Sequence, residues 1–406
     1  MPLGRAVHPL RHAVGAGRPA APGRLVALAL AAALAAVLTA CSLPGRPSQP
    51  GTLTTVAGSG ATGWLHGGYS GDAGPAAQAR LNAPRSIAFS ADGTLYIADT
   101  DNNRIRSVHP ESGTINTVAG GGSEDWAQAD SATAVALPEV TDLAVDPFGR
   151  VLYLASMLDN QVAAVDLHTG RIEILAGRLD GTAADTRDSV DSATTGLWWP
   201  SGIDVGPNGT LYIADSGNRR ILAVSPDHLR YDGRLRPDSV RVIAGTGAET
   251  PSGSDGGNGG PATEATFGEL GRITVARDGT VYVVDGRRRL RSIDPYRHTI
   301  HDAWTGRLPP TPDAMAVDPR EGTLYVADAA THRAIGFVPG RQDPYVVAGT
   351  GDPGFSEDGT PAEEALLHAP GGIALSPSGD LYIADTHNQR VRRIPDIRAL
   401  TPDPAH

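Results

Sequence analysis

The sequence predicts an all-β protein, a six-bladed β-propeller with four short strands in each blade. Three observations support this fold: a strand phrase that recurs six times, a composition with 50 glycines and 32 prolines, and a last repeat that lacks its fourth strand. Glycine and proline between short apolar strands are typical of tight turns in all-β folds. With 40% hydrophobic and 19% charged residues, the chain can bury a large core.

The recurring phrase is a glycine turn followed by an apolar-Tyr-apolar strand that ends in Asp. Five full copies and a weaker sixth occupy residues 93–99, 209–215, 279–285, 322–328, 379–385 and 151–156. A short apolar strand precedes each copy. A turn with Asn and Arg and a third strand follow most copies, and a fourth strand commonly ends in Ala-Gly. Four short strands per unit predict one propeller blade per unit.

The two ends of the repeat region complement each other. The sixth unit stops near Ile394 without an Ala-Gly strand, whereas residues 52–58 supply such a strand at the start. Pairing this strand with the last blade removes the open edge of a sheet. An open solenoid would instead need capping repeats. The sequence therefore predicts a closed propeller over residues 52–394, followed by a C-terminal tail at 395–406.

The N-terminus has the three parts of an export signal: scattered arginines, an apolar run at residues 25–38 and then small residues. The run has 14 residues, fewer than the roughly 20 that span a bilayer. It ends in Leu-Thr-Ala-Cys41, which resembles the lipobox of bacterial lipoproteins. We expect a signal peptide at 1–40, a lipidated Cys41 and a flexible tether at 41–51. The exported protein would be anchored to the outer face of the cytoplasmic membrane; the alternative is a plain secretory peptide with an incidental cysteine.

Charge and cysteine content exclude several functions. Beyond residue 40, 30 arginines stand against 45 acidic residues, a formal net charge of −15. Such an acidic surface repels phosphate backbones, so nucleic acid is not an expected partner. Cys41 is the only cysteine. Once it is lipidated, the chain has no disulfide, no thiolate nucleophile and no cysteine metal site.

The patterns Pro-x-Gly-Ile-Ala, Leu-Tyr-Ile-Ala-Asp, Asn-x-Arg-Ile and Thr-Val-Ala-Gly run through residues 52–394. Together they closely resemble NHL-repeat β-propellers. This resemblance implies the fold, and it implies an interaction platform, because NHL propellers commonly act as such. Some relatives of this fold are metal-dependent lyases or lactonases with histidines and acids in the central channel.

Charged residues that depart from the repeat are candidates for a site at the channel mouth. Residues just before each inner strand are expected there, and most are small. The exceptions are Arg85, Asp142, Arg272 and Asp313, and Asp204 stands where other blades have alanine. This mixed ring is either a clamp for a small zwitterion or peptide terminus, or a plug of mutually paired charges.

Candidate partner contacts lie on the rims of the blades. Arg287 and Arg288 belong to the irregular turn of blade 4, and Tyr231 and Arg234 to a hydrophilic insertion of blade 3 at residues 226–237. Two consecutive tryptophans precede Pro200. We expect one of them to pack between blades and the other to be an exposed anchor.

No residue set predicts catalysis. The repeated aspartates are interpreted as turn residues that accept backbone N–H bonds and pair with arginine. The histidines lie mostly in turns, without a His-x-His or His-x-x-x-His pair. The sequence therefore favours a monomeric binding module for a protein, peptide or cell-envelope ligand, without a cofactor. The alternative is a lactonase-like lyase or hydrolase with a divalent metal in its channel.

Overall fold

The computed structural model describes residues 51–402, except 61–66, 127, 179–194, 225–239, 252–253, 255, 287–288, 305 and 307. These residues form β-strands joined by turns and short 3-10 helices. None of the helices within these ranges is long and apolar enough to cross a membrane.

Strands β1 to β14 lie in the first half of the chain. They are β1 Thr54–Ala57, β2 Gly74–Pro75, β3 Pro84–Phe89, β4 Leu95–Asp99, β5 Arg104–Val108, β6 Thr114–Gly120, β7 Asp142–Val145, β8 Val151–Ser156, β9 Gln161–Asp166, β10 Ile172–Ala176, β11 Pro200–Val205, β12 Leu211–Asp215, β13 Arg220–Val224 and β14 Val240–Ala244.

Strands β15 to β25 complete the ring. They are β15 Leu270–Val275, β16 Val281–Asp285, β17 Arg289–Ile293, β18 Ile300–Asp302, β19 Pro312–Val317, β20 Leu324–Asp328, β21 Arg333–Phe337, β22 Tyr345–Ala348, β23 Gly372–Leu375, β24 Leu381–Asp385 and β25 Arg390–Ile394. Short 3-10 helices occupy Ala76–Gln78, Thr100–Asn102, Ala262–Glu264, Ala362–Glu364, Thr386–Asn388 and Ile397–Leu400.

Six antiparallel sheets form the six blades, and the predicted fold is confirmed. Blades 1 to 5 begin with β3, β7, β11, β15 and β19 and run through consecutive strands, with β2 added to blade 1. In blade 6 the order is β1-β25-β24-β23, so the N-terminal strand supplies the fourth strand. The first strands contact one another in turn, and β23 contacts β3. The ring is therefore closed as the sequence predicts.

The Ala-Gly that ends the fourth strand has a steric cause. Gly58 has a φ of +91°, and a Cβ there would lie 2.2 Å from the carbonyl oxygen of Gln389. Only glycine accepts this backbone conformation and this approach together. The chain can therefore leave β1 directly over the turn that precedes β25.

The core lies between neighbouring blades. Each hydrophobic cluster joins two adjacent sheets, because both faces of a blade are covered. The cluster between blades 6 and 1 contains Ala57, Ile87, Ile97, Ala384 and Val391. Burial of Ala57 in this cluster makes ring closure part of the core.

The two faces of the ring differ in what they carry. The aspartate face is where the second strands end, at Asp99, Asp215, Asp285, Asp328 and Asp385. The opposite face carries the turns between the first and second strands, for example the turn at residues 90–94. Strand β1 runs from the opposite face toward the aspartate face, because Thr54 pairs with Arg393 and Ala57 with Val391. The chain therefore enters the ring at the opposite face.

Candidate functional site

The repeated aspartates hold the entry to each first strand. In five blades the carboxylate accepts the backbone N–H of the residue 17 positions earlier. These bonds join Asn82 to Asp99 at 2.7 Å, Trp198 to Asp215 at 2.7 Å, Gly268 to Asp285 at 2.7 Å, Thr311 to Asp328 at 3.1 Å and His368 to Asp385 at 2.7 Å. These aspartates are structural, as predicted, but the backbone partner found in all five blades lies in the loop before the first strand and not in the turn that follows. Within the turn the partner is an Asn side chain in three blades, for example Asn102, which donates to Asp99 at 2.8 Å.

Four of these aspartates also face an arginine of the third strand. The pairs are Arg106 with Asp99 at 3.3 Å, Arg220 with Asp215 at 2.8 Å, Arg291 with Asp285 at 3.5 Å and Arg392 with Asp385 at 3.8 Å. Each of these arginines also donates to a carbonyl of the loop that enters its own blade. In blades 1 and 6 the pairing arginine comes two residues after the Asn-x-Arg motif. The buried pairs therefore fasten the glycine-rich interblade loops to the strands.

Arg272 closes the channel near the aspartate face. Its guanidinium donates to the carbonyl oxygens of Thr141 at 2.9 Å, Ser201 at 3.0 Å and Asp313. It also lies 3.5 Å from the carboxylate of Asp142. These partners belong to blades 2, 3 and 5, whereas Arg272 belongs to blade 4. One side chain thus spans four of the six blades.

The carboxylate of Asp142 is surrounded by hydrogen-bond donors of neighbouring residues. One carboxylate oxygen accepts the Ser86 hydroxyl at 2.9 Å and the N–H of Leu143 at 3.1 Å. The other accepts the N–H of Ile203 at 2.9 Å and faces Arg272. Three hydrogen bonds and the adjacent Arg272 guanidinium thus hold the carboxylate of Asp142, whose side chain is only 15% exposed.

Asp204 lies deeper in the channel than Asp142. Its carboxylate accepts the N–H of Val205 at 2.8 Å, the N–H of Val275 at 2.7 Å and the Thr274 hydroxyl at 3.0 Å. Burial raises the pKa of Asp204 to about 6, against the lowering effect of these bonds. One acceptor position of Asp204 remains after these three bonds.

The remaining two predicted channel residues lie apart. The Asp313 carboxylate accepts the N–H of Ala329 at 3.0 Å, and burial raises the pKa of Asp313. Arg85 is half exposed on the rim, where it pairs with Glu139 at 3.3 Å. The structure thus brings Arg272, Asp142 and Asp313 together and leaves Arg85 outside the channel.

The predicted contacts Arg287, Arg288, Tyr231 and Arg234, and the lipidation site Cys41, lie outside the described residues.

An exposed aromatic pair lies on the aspartate face. The side chains of Trp198 and Trp199 are 42% and 48% exposed, with ring centroids 5.8 Å apart. The expectation that one of them packs between blades is therefore wrong. Leu158, 61% exposed, lies in the same turn as Asn160, whose side chain accepts the N–H of Trp199 at 2.9 Å. We call Leu158, Trp198 and Trp199 the tryptophan patch.

The fold also assembles three histidines that the sequence does not connect. His368 lies between His332 and His387, with ring centroids 5.7 Å and 4.9 Å away. Burial and the neighbouring cationic groups lower the pKa of His368 and of His387. His332 accepts the N–H of Ala369 through Nδ1 at 3.0 Å. In the sequence, the only sign of this cluster was that His332 and His387 stand in equivalent turns of two adjacent blades.

In the part of the chain that the structure describes, no group of three or more His, Cys, Asp or Glu side chains could hold a metal ion. The three histidine rings meet edge to face, with interplanar angles of 77° and 83°, on the rim of blades 5 and 6.

Family models match two parts of the chain. The Teneurin NHL domain model matches residues 50–194, and the NHL repeat model matches residues 197–223 and 367–394. The NHL repeat matches cover the first three strands of blade 3 and of blade 6, and the Leu-Tyr-Ile-Ala-Asp motif is the second strand in each of them.

Curated relatives resemble most of the chain but are much longer. Protein SUPPRESSOR OF QUENCHING 1, chloroplastic, of Arabidopsis thaliana is 25% identical over 84% of this chain and 27% of its own length. NHL repeat-containing protein 2 of Bos taurus is 24% identical over 78% of this chain and 39% of its own length. The chain thus spans less than half the length of these relatives.

A solved structure shows the same fold. An auxiliary nutrient binding protein from Bacteroides thetaiotaomicron superposes with a TM-score of 0.57 at 15% identity, over 84% of this chain and 75% of that one. At this identity the likeness shows the architecture alone. The chain therefore contains NHL repeats, and it folds as a six-bladed β-propeller.

Proposed function

We propose that this protein is an exported, membrane-anchored propeller that binds a protein or peptide partner without catalysis. The observation that carries the proposal is the tryptophan patch, a rigid and exposed apolar surface on the aspartate face. Aromatic side chains are strongly enriched among residues that dominate binding energy in interfaces. Scattered single apolar residues are normal on a surface. Here two exposed tryptophan rings lie 5.8 Å apart, and the exposed Leu158 stands in the turn whose Asn160 bonds to Trp199, a grouping that favours an interaction site.

The tryptophan patch is held in place before any partner arrives. The Asp215 carboxylate accepts the backbone N–H of Trp198, and Asn160 accepts that of Trp199. The Trp198 ring lies over Gly217, where an added Cβ would come within 2.4 Å of the ring. Anchored rings lose little conformational entropy on binding, so their contacts contribute more fully to affinity.

The channel supports the non-catalytic part of the proposal. At its aspartate-face end, Arg272 and Asp142 are engaged with each other and with backbone groups of several blades. A general base or nucleophile needs a free position toward a substrate. These two residues act instead as a plug.

The proposed lipid anchor would be connected to one particular face of the propeller. Gly51 lies against Leu400 on the opposite face, where the chain enters the ring. From Cys41 to Gly51 the chain advances ten residues, which reach at most about 35 Å when extended. The tether from Cys41 would therefore join the ring at the opposite face and not at the face that carries the tryptophan patch.

We expect a Cys41→Ser variant to leave the membrane fraction and appear in the soluble fraction. A lipidated cysteine is the only membrane attachment in this proposal, and removing its thiol removes the site of lipidation. Cell fractionation followed by immunoblotting, with incorporation of labelled palmitate, measures both effects. A Ser42→Ala variant should stay in the membrane fraction. Membrane retention of the Cys41→Ser variant would contradict the anchor.

We expect a Trp198→Ala/Trp199→Ala variant to lose partner capture by at least about tenfold, because each aromatic anchor contributes on the order of 1–2 kcal/mol or more. The measurement is quantitative pull-down from a cell-envelope extract, followed by binding assays on the partner identified. Tyr296→Ala is the matched control, since Tyr296 is 81% exposed on the opposite face. Equal capture by both variants would remove the tryptophan patch as the binding surface.

A further inference from the structure

The central channel forms a cavity of about 880 Å³ that the plug does not fill. Its lining begins at the level of Arg272 and continues to the turns of the opposite face. From Arg272 to Arg277 the chain advances five residues, or about 16 Å if extended. Small-molecule sites usually have volumes of about 300–1,000 Å³. The cavity is therefore large enough for an organic ligand.

The inner end of the cavity offers acceptors rather than positive charge. The Arg272 guanidinium is occupied by three carbonyls and by Asp142. Asp204 lines the cavity and keeps one acceptor position beyond its three hydrogen bonds. A ligand group that donates a hydrogen bond, such as a hydroxyl, fits this end.

The mouth of the cavity, on the opposite face, carries positive charge. Arg277 and Arg320 line it and are exposed. The neighbouring acids in the same turns, Asp278 and Glu321, are exposed and do not line the cavity. The acids that do line this end or lie beside it, Asp146 and Asp318, are buried and accept backbone N–H bonds, and Asp318 also pairs with Arg398 at 2.7 Å. Over the described ranges, no ion pair is found for Arg277 or Arg320. Two such guanidinium groups favour a carboxylate or phosphate.

The walls between these two ends are mixed. The first strand of each blade is the inner edge of its sheet, so strand backbone lines the cavity together with apolar residues such as Ile87, Val145 and Met315. The hydroxyls of Ser86 and Thr274 are already bonded to Asp142 and Asp204. A wholly apolar ligand would leave the polar groups of this wall without partners, at a cost in free energy. A ligand with several hydroxyl groups can satisfy them.

We propose that this cavity is a second binding site, for an organic anion that carries several hydroxyl groups, of the size of an acidic monosaccharide or disaccharide. Its carboxylate lies between Arg277 and Arg320 at the mouth, and a hydroxyl at its inner end donates to Asp204. This site lies on the other face from the tryptophan patch and does not depend on the partner proposed there.

The test is isothermal titration calorimetry of the full chain with D-glucuronate, with D-glucose and inorganic phosphate as comparison probes. We expect glucuronate to bind with a Kd of about 1 mM or tighter. Glucose and phosphate should each bind at least about tenfold more weakly, because each lacks one half of the recognition. The Arg277→Gln/Arg320→Gln variant should lose about tenfold or more of the glucuronate affinity.

Arg297→Gln is the matched control, because the Arg297 side chain is 82% exposed on the same face but lies outside the cavity lining. It should bind glucuronate as the unaltered chain does, and so should the Trp198→Ala/Trp199→Ala variant. No glucuronate binding at about 10 mM, or an equal loss in Arg297→Gln, would overturn the proposal. So would phosphate binding as tightly as glucuronate, which would show a nonspecific anion site only.

Discussion

A chain that starts at Gly58 is expected to lose cooperative folding of the ring, compared with a chain that starts at Gly51. The shorter chain lacks β1, so β25 becomes an open edge and the clusters on both sides of blade 6 lose members. Leu53 is completely buried and exchanges backbone hydrogen bonds with the loop at Thr360. Thermal unfolding followed by circular dichroism should show a midpoint lower by more than about 10 °C, or a broad transition.

A point variant keeps this prediction testable if the shorter chain does not fold. Leu53→Ala should lower the unfolding free energy by about 2–4 kcal/mol, because it removes a fully buried side chain and leaves a cavity. Thr54→Ala is the control in the same strand, since Thr54 is partly exposed and makes one long side-chain hydrogen bond of 3.4 Å. Equal stability of Leu53→Ala and Thr54→Ala would show that the N-terminal strand does not hold the ring together.

Replacement of Arg106 by methionine is expected to lower the unfolding free energy by about 3–5 kcal/mol. Both Arg106 and Asp99 have fully buried side chains, so the variant leaves the Asp99 carboxylate without its cation inside the core. It also frees the interblade loop at Ser70, whose carbonyl accepts a hydrogen bond from Arg106. Urea unfolding monitored by tryptophan fluorescence gives this difference.

The Arg104→Met variant is the control that distinguishes loss of the ion pair with Asp99 from loss of the contact with the Tyr69 ring. Arg104 and Arg106 both lie over the Tyr69 ring, at 3.9 Å and 4.9 Å from its centroid. Arg104, however, donates to the Asn102 carbonyl instead of to Asp99. We expect Arg104→Met to cost less than about 1 kcal/mol. Addition of Asp99→Asn to Arg106→Met should recover part of the loss; a double variant less stable than Arg106→Met would refute the unpaired-charge explanation.

The blade pattern could be predicted from the sequence because its causes are local. Short continuous apolar runs identify strands that are covered on both faces, glycine marks the turns between them, and the number of repeats sets the number of blades. Closure by residues 52–58 followed from the same count, since one strand was absent at one end and present at the other. A structural role of the aspartates was predictable for the same reason, because the Asn side chain that bonds to each of Asp99, Asp215 and Asp385 stands three residues later in the same turn. Their bond to the residue 17 positions earlier was not predicted, because it joins the turn to a distant loop.

For part of the candidate site, the sequence identified the residues but did not show which of them lie together. Arg272 crosses the channel, whereas Arg85 lies on the rim, because their positions in the blade differ by one residue. Ile273 and Ile87 pair with the same position of the second strand, so Arg272 corresponds to Ser86 and Arg85 stands one residue earlier. Successive side chains of a strand point to opposite sides, and the sequence did not reveal this difference in register. The pairing of Asp99 with Arg106 instead of Arg104 was missed because it depends on the loop that covers Arg106.

The sequence by itself determined the fold, the ring closure and the residues that depart from the repeat, because these follow from the period of strands and turns along the chain. Only the tertiary structure decided that both tryptophans are exposed, that His332, His368 and His387 meet edge to face, and that the channel opens on the opposite face. Such features join side chains from different blades. Their distances depend on how the closed ring directs each side chain, and spacing along the chain carries no such information.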